Sequence, residues 1–81
     1  METAFVLVQS EIAHEMDVMN EILKIDKVKE VKGTFGVYDI FVKIEGNNSK
    51  EIADVITKQI RKMAYVLSTD TLSVIPEQNK K

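Results

Sequence analysis

The apolar positions of the 81-residue chain change period from segment to segment, and six elements follow from the changes. Residues 3–9 are a short continuous run centred on Ala4-Phe5-Val6-Leu7-Val8, the pattern of a strand buried on both faces. From Ile12 the spacing turns helical: Ile12, Met16, Met19 and Leu23 recur at helical intervals, with Ala13, Asn20 and Ile22 beside them. Acidic residues (Glu11, Glu15, Asp17) gather at the start of this segment and Lys24 closes it, in accord with the helix dipole, and Ser10 is placed to cap it. Residues 28–35 return to a ragged extended pattern, as in a partly exposed edge strand. Gly33-Thr34-Phe35-Gly36 then reads as a turn or bulge.

Residues 37–45 alternate, with Tyr38, Ile40, Val42 and Ile44 on one face and Val37, Asp39, Phe41 and Lys43 on the other. After the turn Gly46-Asn47-Asn48, Ser49 is the expected cap of a second amphipathic helix built on Ile52, Ala53, Ile56, Ile60 and Met63. Asp54 and Lys58 stand one turn apart on it, and Arg61 and Lys62 close it at the electronegative end. Residues 65–75 predict a last strand, interrupted by the polar stretch Ser68-Thr69-Asp70-Thr71 and ended by Pro76; a polar tail, residues 77–81, follows.

The order strand, helix, strand, strand, helix, strand makes two similar βαβ halves. With right-handed crossovers this predicts a ferredoxin-like α+β sandwich: a four-stranded antiparallel sheet with both helices on one face. Residues 1–76 are read as one domain, with the first and third strands central. Two helices cover only one face of such a sheet, while the central strands offer apolar side chains to both. Phe5, Leu7, Val37, Phe41 and Leu67 are the expected contacts of the uncovered face, which predicts dimerisation through the sheet.

Composition narrows the function classes. There is no cysteine, so thiolate metal sites, Cys nucleophiles and disulfides are excluded. A formal net charge of −2 argues against direct binding to nucleic acid, which favours a dominant basic surface. The longest apolar run is far shorter than the roughly 20 residues of a membrane span, and Glu2 precedes it where a signal peptide is basic. A cytoplasmic protein with no membrane partner is expected.

Motifs of catalysis are sparse, and no enzyme is expected. His14, the only histidine, has Glu11 and Asp17 one turn to either side on an acidic, solvent-facing helix start, too few ligand types for a metal site. Gly33 and Gly36 lie between two strands, not before a helix N-terminus that would cradle phosphate. One arginine, Arg61, makes no phosphate clamp. Tyr38 and Phe41 fall on opposite faces of their strand, unlike the stacking aromatics of RNA-binding sheets. Asp39 in a strand is unusual, and Thr69 and Thr71 at i and i+2 share a side. Asp39 for an ammonium, with backbone N–H groups near Gly36 and a threonine hydroxyl for a carboxylate, would suit a small zwitterion. A solvated strand edge with threonine chosen for its β-propensity is the alternative reading of the same residues.

The opening Ala4–Val8 run, the step Gly36-Val37-Tyr38-Asp39-Ile40, the stretch from Leu23 to Val31 and the late Val66…Thr69-Asp70-Thr71-Leu72 together resemble the effector-binding (RAM) domain of the Lrp/AsnC regulator family, over residues 3–75. The resemblance implies dimers through the sheet, further assembly of dimers, and amino-acid effectors in clefts between subunits, with no cofactor. By motif position it implies Gly36, Tyr38, Asp39, Thr69 and Thr71 as ligand-binding residues. Full-length members carry an N-terminal helix-turn-helix domain, whereas the first strand here begins at Thr3. The expectation is therefore a stand-alone module that senses amino acids for transcriptional regulation. Alternatives are an assembly partner of full-length Lrp/AsnC-type regulators that binds no ligand, and a small dimeric-barrel enzyme using His14 or Asp39 as base. An ACT domain shares the topology.

Overall fold

The computed structural model describes residues 1–73. Its elements are β1 (Glu2–Ser10), α1 (Glu15–Leu23), β2 (Val28–Gly33), β3 (Ile40–Gly46), α2 (Ser49–Val55), continued by a wide π-helical turn (Ile56–Ile60), and β4 (Val66–Ser73). This is the expected βαββαβ order of a ferredoxin-like α+β fold. Val74, Ile75, Pro76 and the tail, which the sequence assigns to the end of the last strand and beyond, lie outside the described residues.

The sheet is antiparallel with strand order β2-β3-β1-β4, so the two most apolar strands are central. Directly paired residues share a face, and the register therefore sorts the side chains. Val8 pairs with Ile40, Val6 with Val42 and Ala4 with Ile44, which puts these five β-branched residues and Ala4 on the helix side. Val6, Val8, Ile40, Val42 and Ile44 are fully buried there, against Val18 and Ile22 of α1 and Ile52, Val55, Ile56 and Ile60 of α2. On the opposite face Leu7 pairs with Phe41 and Phe5 with Leu72, and the Phe5 and Phe41 rings stack at 5.2 Å.

Several local expectations are corrected. The inward stripe of α1 is Val18 and Ile22 with Met19 beside them, not the line through Ile12, Met16 and Leu23, which are 91%, 66% and 56% exposed. Residues 11–14 form a tight turn before the helix, with the His14 N–H on the Glu11 carbonyl and Ala13 at φ 72°. Ile12 thus falls outside α1, and the helix docks rotated from the predicted face by about one residue, roughly 100°. Ser10 does not cap α1, since it ends β1 and is buried. In α2 the cap is Asn48, whose side-chain oxygen accepts the Glu51 N–H at 2.9 Å, and Ser49 is already helical. Ala53 faces solvent and Val55 replaces it in the core. The polar stretch Ser68–Thr71 does not interrupt β4, because an edge strand tolerates polar side chains while its backbone pairs with β1. β3 begins at Ile40, which leaves Val37 and Tyr38 in the connection from β2.

Candidate functional site

The sequence-predicted site residues fall into two groups on either side of β1. Asp39 ends the β2–β3 connection. Its N–H donates to the Val8 carbonyl at 3.1 Å, and its carbonyl accepts the Thr34 N–H at 2.8 Å. These bonds aim its carboxylate at the end of β1, where Oδ1 accepts the Ser10 N–H at 3.0 Å and Oδ2 accepts the Ser10 hydroxyl at 2.9 Å. Both oxygens are thereby engaged by a residue only 4% exposed, so within one chain Asp39 acts as a clasp between β1 and β3. In the loop before it, the Thr34 hydroxyl donates to the Tyr38 carbonyl. Gly36 has φ 115°, a backbone conformation costly for any side chain, and flanks the wholly exposed Phe35.

Thr69 and Thr71 pair with Val8 and Val6, so they sit on the helix side of the edge strand β4. The Arg61 Nε–H donates to the Thr69 hydroxyl at 2.8 Å, joining the end of α2 to that strand. Thr71 lines a cleft of about 380 Å³ between α2 and the β1–β4 edge. A second cleft, of about 310 Å³, lies at Thr69 and Arg61. Neither cleft is lined by Gly36, Tyr38 or Asp39. Within a single chain, the Asp39 group and the threonine group do not converge on one ligand.

On the uncovered face, Phe5, Leu7 and Phe41 meet as the sequence predicts, but Val37 stands apart in the loop and Leu67 sits where the β1–β4 register shifts. Leu72 takes the remaining place beside Phe5. A charged border flanks this centre: Glu30 and Lys32 form a 2.8 Å ion pair, and Lys43 and Glu45 stand at 3.7 Å. The hydrogen bond and charge of Lys32 hold the Glu30 carboxyl below its ordinary value, and Glu30 raises Lys32 in return. An apolar centre inside a polar rim is the anatomy of a protein interface.

His14 is half-covered, not fully exposed: its ring stacks on Tyr65 at 3.7 Å, and Nδ1 lies 3.0 Å from Asp17 Oδ2. Among the described residues no group of three or more His, Asp or Glu is placed to hold a metal ion, and no helix is long and apolar enough to cross a membrane. Three residues escaped sequence reasoning. Ser10 read as a cap, Leu72 lay in a stretch dominated by polar residues, and no spacing signal links Arg61 to a strand eight residues later.

The family model of the Lrp/AsnC ligand binding domain matches residues 3–80, and the chain belongs to that family. Among solved structures it is similar to FFRP-DM1 (37% identity, TM-score 0.87), over 93% of this chain and all of that one. A hypothetical protein from Pyrococcus horikoshii is 38% identical with TM-score 0.85, over 95% of this chain and 93% of that one. A transcriptional regulator from Neisseria meningitidis, solved as an L-Met complex, shares the fold at 15% identity and TM-score 0.84; this chain is covered over 98% but spans only 53% of that regulator. No protein of curated function matches the chain significantly.

Proposed function

We propose that this domain is an amino-acid-effector-binding and oligomerisation module of transcriptional regulation, and that it acts through assembly rather than catalysis. The observation that carries the reading is the uncovered sheet face in a member of this family, with Phe5, Leu7, Phe41 and Leu72 at its centre. Full burial of such a side chain contributes about 1.5–3 kcal/mol. Phe5, Leu7 and Phe41 are already half-buried, so association gains the remaining part from each and more from the exposed Leu72, which together offset part of the cost of association. The amino-acid class is supported by the L-Met bound to the Neisseria regulator. Gly36, Tyr38 and Asp39 lie on one side of β1 and Thr69 and Thr71 on the other. In this reading they complete one site only when the second group comes from another copy, at a cleft between subunits in the cytoplasm. The same sheet face would join full-length Lrp/AsnC-type regulators to the assembly.

Mass in solution at micromolar concentration, measured with and without each common amino acid, tests this directly. Dimers or assemblies of dimers are expected, Phe41→Asp should shift them to single copies, and one amino acid class should raise the melting temperature. Ligand at 100 times its dissociation constant adds about 2.7 kcal/mol of stability. A compact single copy of the wild type would refute the assembly. Absence of any thermal shift at millimolar amino acid would refute the sensing and leave an assembly partner alone.

A further inference from the structure

The cleft between α2 and the β1–β4 edge carries a charge arrangement that the ligand-binding motif does not include. Its floor is apolar and well buried: Ala4, Ile52 and Ile56 are 8%, 5% and 4% exposed. Among the described residues its rim holds one cation, Arg61, and one carboxylate, Glu2, with Thr71 also in the lining. Neither charge takes part in an ion pair among the described residues, although seven other pairs form across the surface. At about 380 Å³ the cleft falls within the range of small-molecule sites, roughly 300–1,000 Å³.

Two independent features hold Arg61 at the border between this cleft and the smaller one at Thr69. The π-helical turn over Ile56–Ile60 lets the Arg61 N–H bond to the Ile56 carbonyl, five residues back, at 2.9 Å. Such wide turns are frequent at functional sites, and this one sets the direction in which Arg61 leaves the helix end. The Nε–H is then pinned to the Thr69 hydroxyl. Guanidinium carries five N–H donors in a planar fork, so this bond orients the side chain while leaving the terminal Nη donors for a planar anion such as a carboxylate.

We infer that Arg61 is the carboxylate-reading residue on this side of the shared site: it binds the α-carboxylate of a neutral aliphatic amino acid whose side chain lies on Ala4, Ile52 and Ile56 and whose ammonium is left to the Asp39 group of the other copy. The inference rests on the amino-acid-sensing reading and adds the residues that set selectivity on the threonine side of the site. Basic amino acids are disfavoured by the guanidinium, and dicarboxylic ones because the apolar floor offers their second charge no partner.

Calorimetric titration of the wild type and of Arg61→Gln and Arg61→Lys with valine, leucine, methionine, glutamate and lysine tests the inference. Wild type should prefer the aliphatic group. Arg61→Gln should weaken that binding about 10- to 150-fold, the span of one charge-assisted hydrogen bond, with oligomer mass unchanged and the ligand-free melting temperature lowered only by the loss of the exposed bond to Thr69. Arg61→Lys, which keeps the charge but loses the fork, should recover only part of it. A second arm needs no variant: the amine formally obtained by removing the carboxylate from the preferred amino acid should fail to bind wild type. Equal binding of the amino acid by wild type and Arg61→Gln, or equal binding of the amine, overturns the role of Arg61 and leaves amino-acid sensing intact. A wild type that binds none of the ligands overturns both.

Discussion

Removing the Asp39 carboxylate should unlock the two central strands. Asp39→Ala deletes the acceptors of the Ser10 N–H and hydroxyl at 3.0 and 2.9 Å, and Ser10 is only 4% exposed, so both donors lose their partner where water reaches poorly. An unsatisfied buried donor costs about 1–3 kcal/mol. Asp39 itself is half-buried, so some water enters from its side and the lower part of the range applies, about 2–4 kcal/mol for the pair. In a domain this small each kcal/mol moves the melting temperature by about 4–8 °C, so a fall of about 10–30 °C is expected. Ser10→Ala removes only the hydroxyl bond and should cost about 1 kcal/mol. In the double variant the hydroxyl is no longer there to be stranded, so the two effects should sum to less than their parts, by about 0.5 kcal/mol or more. Urea unfolding at one fixed protein concentration is the appropriate assay, because association raises apparent stability. If Asp39→Ala stays within about 0.5 kcal/mol of wild type, or if the two substitutions are additive, the clasp is not a stabilising feature. A positive result also bears on ligand binding. Loss of effector affinity in Asp39→Ala would then reflect a loosened β1–β3 junction unless the variant is first shown to be folded under the conditions of titration.

Further outcomes follow from other contacts. Ile22→Ala should destabilise by about 2–5 kcal/mol while Leu23→Ala, on an exposed neighbour, stays within about 0.5; equal losses in thermal unfolding would contradict the docked face of α1. Asn48→Ala should cost about 1 kcal/mol by stripping the cap from the Glu51 N–H, and an unchanged urea midpoint would deny that role. The Asn47 N–H and then Lys27 hold the Glu51 carboxyl below its ordinary value of 4.5. A depressed carboxyl stabilises the fold above its unfolded value and loses that contribution as pH falls through the lower, folded one. The stability gap between wild type and Glu51→Gln should therefore be present at neutral pH and close on acidification below 4.5, and a gap that stays constant down to about pH 3 would reject it.

Much of the architecture is written in the local pattern. The alternation over Ile40–Ile44, the apolar run Ala4–Val8 and the helical spacing of Ile52, Ile56 and Ile60 each carry a period that suits one kind of element. Two βαβ halves with short connections then leave few topologies, so the sheet order and the central place of β1 and β3 were legible before any coordinates. The step from Gly36 to Asp39 and the spaced threonines likewise marked the family that the chain belongs to.

What the tertiary structure alone decided is which of two apolar stripes on α1 turns inward and what each polar side chain meets. Both stripes have helical period, and the choice between them depends on the turn at residues 11–14 that sets where the helix begins. Ser10 and Asp39 lie 29 residues apart, and Arg61 meets Thr69 across the gap between a helix end and a strand. No periodicity records such meetings, because they are set by strand register and by one widened helical turn. Sequence determines the elements through short-range sterics and burial; the site arises from long-range pairing, where one residue of slip would send every side chain to the other face.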